Sequence, residues 1–144
     1  HAFVAQAMVV QGPSMQPTLY YNERVIVEKV SYHLHAPRRG DIIILRLPDE
    51  DEPLIKRVVA LGGETVAVRG GHVFINGEQL DEPWSTIAGG ANYPATPVPE
   101  GYVFVLGDNR PRSRDSRSFG PVPLEHVIGH ALFVYWPLDQ VKGL

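Results

Sequence analysis

The 144-residue chain contains no cysteine. A covalent catalyst built from it therefore needs a Ser, Thr, Lys or carboxylate nucleophile, and a hydroxyl needs a neighbouring base to take its proton. Three segments hold residues of the right kind. Ser14 lies in Gln11-Gly12-Pro13-Ser14-Met15-Gln16-Pro17-Thr18-Leu19, where Gly12 and Pro13 break the preceding apolar run and Pro17 limits any helix to a turn. A serine on such a turn can present its hydroxyl while nearby backbone N–H groups point outward as an oxyanion hole, although turn and helix-cap serines occupy the same kind of position. Lys56 lies in Leu54-Ile55-Lys56-Arg57-Val58-Val59. On a strand, the period of two puts Lys56 with Leu54 and Val58 and puts Arg57 with Ile55 and Val59, so one of two adjacent cations faces the more apolar side. Burial disfavours an ammonium and lowers its pKa, which lets a lysine serve as a base near neutrality. An edge strand with both heads in water is the plainer alternative. The third segment runs from Leu106 to Val122 and includes Gly107-Asp108-Asn109-Arg110, Ser113, Asp115 and Arg117. It is either a solvated charged loop or a dense set of hydrogen-bonding side chains bracing a site.

The histidines offer no rival base. His1, His33, His35, His72, His126 and His130 form no His-Glu-x-x-His motif, and none stands beside a serine in a triad-like context. His130, between Ile128 and Leu132, reads as a packed or surface histidine. The acidic run Asp49-Glu50-Asp51-Glu52, flanked by Pro48 and Pro53, reads as a solvated hairpin tip, since adjacent side chains at a tip do not converge on a metal. No metal or cofactor is expected.

Around these residues the chain is written in short β-branched runs bounded by Gly and Pro: Arg24–Val30, Asp41–Leu47, Leu54–Leu61, Thr65–Val68, Tyr102–Leu106 and Val127–Tyr135. Gly70-Gly71 separates two such runs as a two-residue hairpin turn, and Asn76-Gly77 follows as a second. With 14 Gly and 13 Pro, uninterrupted helical windows are few. The expectation is an all-β fold of antiparallel sheets, packed and partly closed. It forms one domain, with a core of 1–64 and 101–144 and a smaller inserted β region at 65–100. Residues 82–101, rich in Pro, Gly, Asn and Thr around Trp84 and Tyr93, read as an irregular surface connection. Phe133 and Tyr135, on one strand face, read as core.

A net charge of −3, with no basic run longer than Arg38-Arg39, argues against a nucleic-acid partner. No apolar stretch approaches the roughly twenty residues of a membrane span. The opening His1-Ala2-Phe3-Val4 is expected to be the trimmed end of a longer chain.

The three segments, in this order, resemble the type I signal peptidases, serine proteases anchored in membranes that use a Ser–Lys dyad. The resemblance lies in Ser14-Met15-x-Pro17-Thr18-Leu19, Arg39-Gly40-Asp41-Ile42, Lys56-Arg57-Val58-Val59 with Gly62-Gly63-Glu64, and Gly107-Asp108-Asn109-Arg110 followed by Ser113, Asp115, Ser116, Arg117 and Gly120. It implies that Ser14 is the nucleophile, with its own N–H in the oxyanion hole. Lys56 is then the general base, Ser113 orients the lysine, and Arg57, Asp115 and Arg117 hold the surrounding loops through ion pairs. Two positions depart from the family pattern. Gly12 stands where some members carry a serine donor to the oxyanion, and Pro111 stands where many carry an acid.

The resemblance further implies a substrate: the signal peptide of a secretory preprotein, bound extended and cut after Ala-x-Ala. Ala5, Ala7, Met8, Val9, Gln11 and Pro13 are candidates for the receiving edge, by strand addition. A lipid surface is the second implied partner, with Tyr20-Tyr21 and the aromatics near Trp136 as candidate contacts. Localisation at the cytoplasmic membrane, with the catalytic domain on its outer side, follows from the same resemblance. Two other readings compete. A self-cleaving repressor of the Ser–Lys class would need a DNA-binding helix-turn-helix and its own Ala-Gly target, and Ala88-Gly89 lacks that setting. A catalytically inactive peptide-binding β-domain would need neither Ser14 nor Lys56.

Overall fold

The computed structural model describes residues 5–144; the opening His1-Ala2-Phe3-Val4 lies outside the described residues. The β-branched runs form the strands β1 (Ala5–Val9), β2 (Arg24–Glu28), β3 (Ile42–Leu45), β4 (Leu54–Leu61), β5 (Thr65–Arg69), β6 (His72–Ile75), β7 (Glu78–Gln79), β8 (Tyr93–Pro97), β9 (Tyr102–Leu106), β10 (Val122–Pro123), β11 (Val127–Trp136) and β12 (Lys142–Gly143). Helix is confined to single turns, α1 (Ser31–Leu34) and α2 (Ser116–Phe119), and three 3-10 segments. The fold is all-β and antiparallel. The larger sheet runs β1-β2-β11-β3-β4-β9-β10, with β12 also on β11, and the smaller runs β7-β6-β5-β8.

The turns obey local chemistry. Gly70 and Gly71 both have positive φ (+58° and +83°) between β5 and β6, and Asn76 and Gly77 repeat the pattern (+51° and +87°) before β7. This is the twist that a two-residue hairpin requires.

Packing ties the sheets together. Val59, Ala60, Phe104 and Leu106 of the larger sheet share one buried cluster with Val66, Val68 and Val73 of the smaller. A second cluster takes Met15 and Leu19 from the Ser14 turn onto Val25, Val27, Ile42 and Ile44. Each such side chain contributes about 1.5–3 kcal/mol by leaving water, so the segment that follows Ser14 is anchored in the core, and Val10 of the same cluster anchors the segment before it.

Strand pairing leaves two open edges beside the Ser14 and Lys56 segments. Among the described residues β1 pairs only with β2. β4 pairs with β3 over Leu54–Arg57 but meets β9 only from Arg57 onward, so the other edge of Leu54–Lys56 has no strand partner among the described residues.

Two expectations are corrected. Residues 82–101 are not wholly irregular: β8 lies within them and pairs with β5, and Ile87 forms a parallel bridge with Asn109. Phe133 is 39% exposed rather than core. A register shift against β2 falls between Ala131 and Phe133. The resulting bulge breaks the period of two, turning Val134 inward after Ala131 and leaving Phe133 outside.

Candidate active site

Both adjacent cations of β4 are buried, on opposite faces, and they are satisfied differently. Arg57 (6% exposed) donates from Nε and Nη2 to Asp108 at 3.0 and 2.8 Å, donates from Nη1 to the Gly40 carbonyl at 2.8 Å, and lies 4.6 Å over the Trp84 ring. Lys56 (3% exposed) has no carboxylate in ion-pair range among the described residues, and its Nζ donates to Ser113 Oγ at 3.2 Å. Burial brings its pKa down to about 8; Asp115 pulls the other way, and Arg117 and Arg114 add to the lowering. A buried amine that loses its proton just above neutrality, held by a hydroxyl able either to accept or to donate, is a competent proton acceptor.

Ser14 sits on the turn between β1 and β2, which closes through Gln16 N–H to Pro13 O at 3.1 Å and Leu19 N–H to Met15 O at 2.9 Å. The turn is clamped by Asn109, whose backbone N–H donates to Ser14 O at 3.0 Å and whose Nδ2 donates to Pro13 O at 3.1 Å. Among the described residues neither the Ser14 hydroxyl nor its N–H has a hydrogen-bond partner, so both are free for a ligand. Gly107 is the joint between the serine and the lysine. Its N–H donates to Ser113 Oγ at 3.1 Å, and a Cβ placed on it would fall against Ser113 and come within 2.5 Å of Ser14 O. Gly12 has φ +72°, a conformation that a serine side chain there would strain.

Asp115, fully buried, accepts from Arg117 Nε and Nη2 at 2.9 Å each and from Gly107 N–H at 3.0 Å. It also caps α2 through Arg117 N–H. Arg110 finds its carboxylate in Glu82, at 2.7 and 3.1 Å. Pro111 lies in the first turn of the short 3-10 segment Arg110–Arg112, where a missing N–H is no loss. The expected supports Arg57, Asp115 and Arg117 thus all lie around the Gly107–Ser113 loop.

Sequence reasoning gave no role to Asp108, Asn109, Thr18 (Oγ1 to Asp108 Oδ2, 2.6 Å) or Glu82 with Trp84 (Nε1 to Glu82 Oε2, 2.6 Å). Asp108 and Asn109 were visible in the Gly-Asp-Asn-Arg run. Glu82 and Trp84 sit in an aperiodic stretch with no local signal.

A cleft of about 560 Å³ has one wall of Met8, Val9, Val10, Gln11, Ser14 and Met15 and another of Glu52, Pro53, Leu54, Ile55 and Lys56. Ser14 and Lys56 therefore border one cavity. Of the candidate substrate contacts, Met8, Val9 and Gln11 line it, whereas Ala5, Ala7 and Pro13 are exposed beside it.

Residues 1–136 match the family profile described as "Signal peptidase, peptidase S26". The chain is 45% identical to the probable signal peptidase I-1 of Synechocystis sp., over 96% of this chain and 74% of that one, and 44% identical to the signal peptidase I of Leptolyngbya laminosa, over 99% and 74%. A crystal structure of a signal peptidase I from Enterococcus faecalis superposes with a TM-score of 0.55 at 39% identity, covering 67% of this chain and 97% of that one. The chain belongs to the signal peptidases of family S26 and is a serine peptidase.

Proposed function

We propose that this protein is a membrane-associated endopeptidase that removes signal peptides from secretory preproteins after an Ala-x-Ala-type site, with Ser14 as nucleophile and Lys56 as general base. The observation that carries the reading is Lys56, buried with no carboxylate in ion-pair range among the described residues and held by Ser113 at the edge of a cleft that Ser14 also lines. Neutral Nζ takes the Ser14 proton as Oγ attacks the scissile carbonyl, and the oxyanion that forms is met by the free Ser14 N–H. The ammonium then gives its proton to the departing amine, leaving an acyl-enzyme. Lys56 next takes a proton from water, which attacks the ester, and returns it to Ser14 as the acid leaves.

The open edges of β1 and of Leu54–Lys56 support binding of an extended peptide as the missing strand between them. Walls of Met8, Val9, Leu54 and Ile55 suit small apolar side chains and reject large ones by clash. Arg57, Asp115 and Arg117 act by holding the loops. The chain works as one catalytic domain, with residues 65–100 as its inserted sheet.

Support for a lipid partner comes from position. Val9, Arg24 and Trp136 form one cross-strand row at the end of β1 nearest the serine turn, and Tyr21 (61% exposed) and Trp136 (44%) crown that end. No helix among the described residues is long and apolar enough to cross a membrane; the location proposed for the catalytic domain is the outer side of the cytoplasmic membrane.

The test is cleavage of a peptide spanning an Ala-x-Ala junction, in nonionic detergent, by the parent, Ser14→Ala and Lys56→Met, with mass spectrometry locating the cut. One cut after the second Ala, lost in both variants while their circular dichroism is unchanged, is expected. Binding without cleavage by the parent would transfer the reading to the inactive peptide-binding domain.

A further inference from the structure

The acidic tip between β3 and β4 plays no part in the mechanism above, yet its members are not equivalent. Glu50 is neutralised by Arg114, Oε1 to Nη1 at 2.8 Å. Asp49 borders a separate hollow with Leu47, Phe119 and His126. Glu52 is exposed, has no ion-pair or hydrogen-bond partner among the described residues, and lines the cleft shared by Ser14 and Lys56, in which it is the only carboxylate.

The reach of the chain bounds its distance from the chemistry. Glu52 stands in the bend two residues before β4 and precedes Lys56 by four residues along one wall, so at roughly 3.3 Å per extended residue the two are at most about 13 Å apart. A peptide lying extended on that wall advances at the same rate, so the side chain that meets Glu52 belongs to the residue about four before the one whose carbonyl is attacked. Between the two ends the wall is Pro53, Leu54 and Ile55. A lysine or arginine stem can lie along such a surface with its charged head at the carboxylate.

We propose that Glu52 is a specificity-determining residue that favours signal peptides carrying Lys or Arg about five residues before the cut, four before the residue whose carbonyl is attacked, and disfavours Asp or Glu there. This rests on reading the cleft as the seat of the residues preceding the scissile bond. Because Glu52 is exposed, the preference is modest and screened by salt.

The test uses Ala-x-Ala peptides that differ only in Lys, Gln or Glu at the fifth residue before the cut, assayed for kcat/KM with the parent, Glu52→Gln, Glu52→Lys and Asp49→Asn. The quantity read is the Lys-to-Glu ratio within each protein, which is insensitive to overall activity. The parent ratio is expected to be on the order of fivefold at low salt, to fall toward one at about 0.5 M salt, to collapse in Glu52→Gln and to invert in Glu52→Lys. Asp49→Asn should keep the parent ratio. A parent ratio of one, or a ratio unchanged in Glu52→Gln, overturns the proposal while leaving the peptidase reading intact. An equal drop in Asp49→Asn assigns the preference to the general field of the tip and overturns it as well. Failure of the parent to cut any of the peptides sinks the reading of the cleft, and this proposal with it.

Discussion

At the scale of the residue, Lys56 holds the chemistry and the cost together. Its pKa of about 8 lies below the usual 10.4 of an unfolded lysine, so the working, neutral form gains population as pH rises through about 8. The kcat/KM for an Ala-x-Ala peptide should climb across that value; a flat profile between pH 6 and 10 would contradict Lys56 as base. The same depression means that the unfolded chain binds more protons between pH 8 and 10.4, so burying the ammonium destabilises the fold below that window and stability rises through it. Lys56→Met should therefore melt higher than the parent at pH 7, by the equivalent of roughly 2–4 kcal/mol, with the gap closing above pH 10. Equal melting curves at pH 7 would place the lysine head in water. The residue types are legible in the sequence, and so is the conflict between the adjacent cations, but the period of two expects one of them on the apolar side whereas Lys56 and Arg57 are both buried. What a run of letters does not contain is the partner of each, since Asp108 and Ser113 stand 51 and 57 positions away.

At the scale of the element, β4 and β9 bring together what the chain keeps apart. Their antiparallel ladder sets Arg57 against Leu106, so the loop leaving β9 begins beside the lysine and continues to the serine turn through Asn109. Gly107 sits at that junction. Gly107→Ala should push Ser113 from Lys56 and press on Ser14 O, lowering kcat at least tenfold while costing about 1–3 kcal/mol by overpacking. An alanine variant with parental kcat would show that the loop yields without disturbing either group. Strand runs and hairpin turns were readable because period and turn chemistry are local. The bulge that exposes Phe133 and the pairing of β8 with β5 were not, because each depends on a neighbouring strand.

At the scale of the whole molecule, the aromatic end of the sheet adjoins the cleft through Val9, which lines the cleft and stands in one row with Arg24 and Trp136. If that side rests on lipid, Trp136→Ala should reduce co-sedimentation with zwitterionic vesicles several-fold and lower activity on vesicle-inserted precursor more than on a soluble peptide. Loss of both in equal proportion would assign Trp136 to the peptide instead. The two sheets look separable in a strand diagram, but β5 and β6 have no interior of their own: Val66, Val68 and Val73 are buried against Val59 and Phe104. A hydrophobic core held in common makes for shared cooperativity. The smaller sheet cannot open as an independent foldon without exposing the backs of β4 and β9, so the slowest-exchanging amides of both sheets belong to one unit, and the geometry around Lys56 lasts as long as the fold itself.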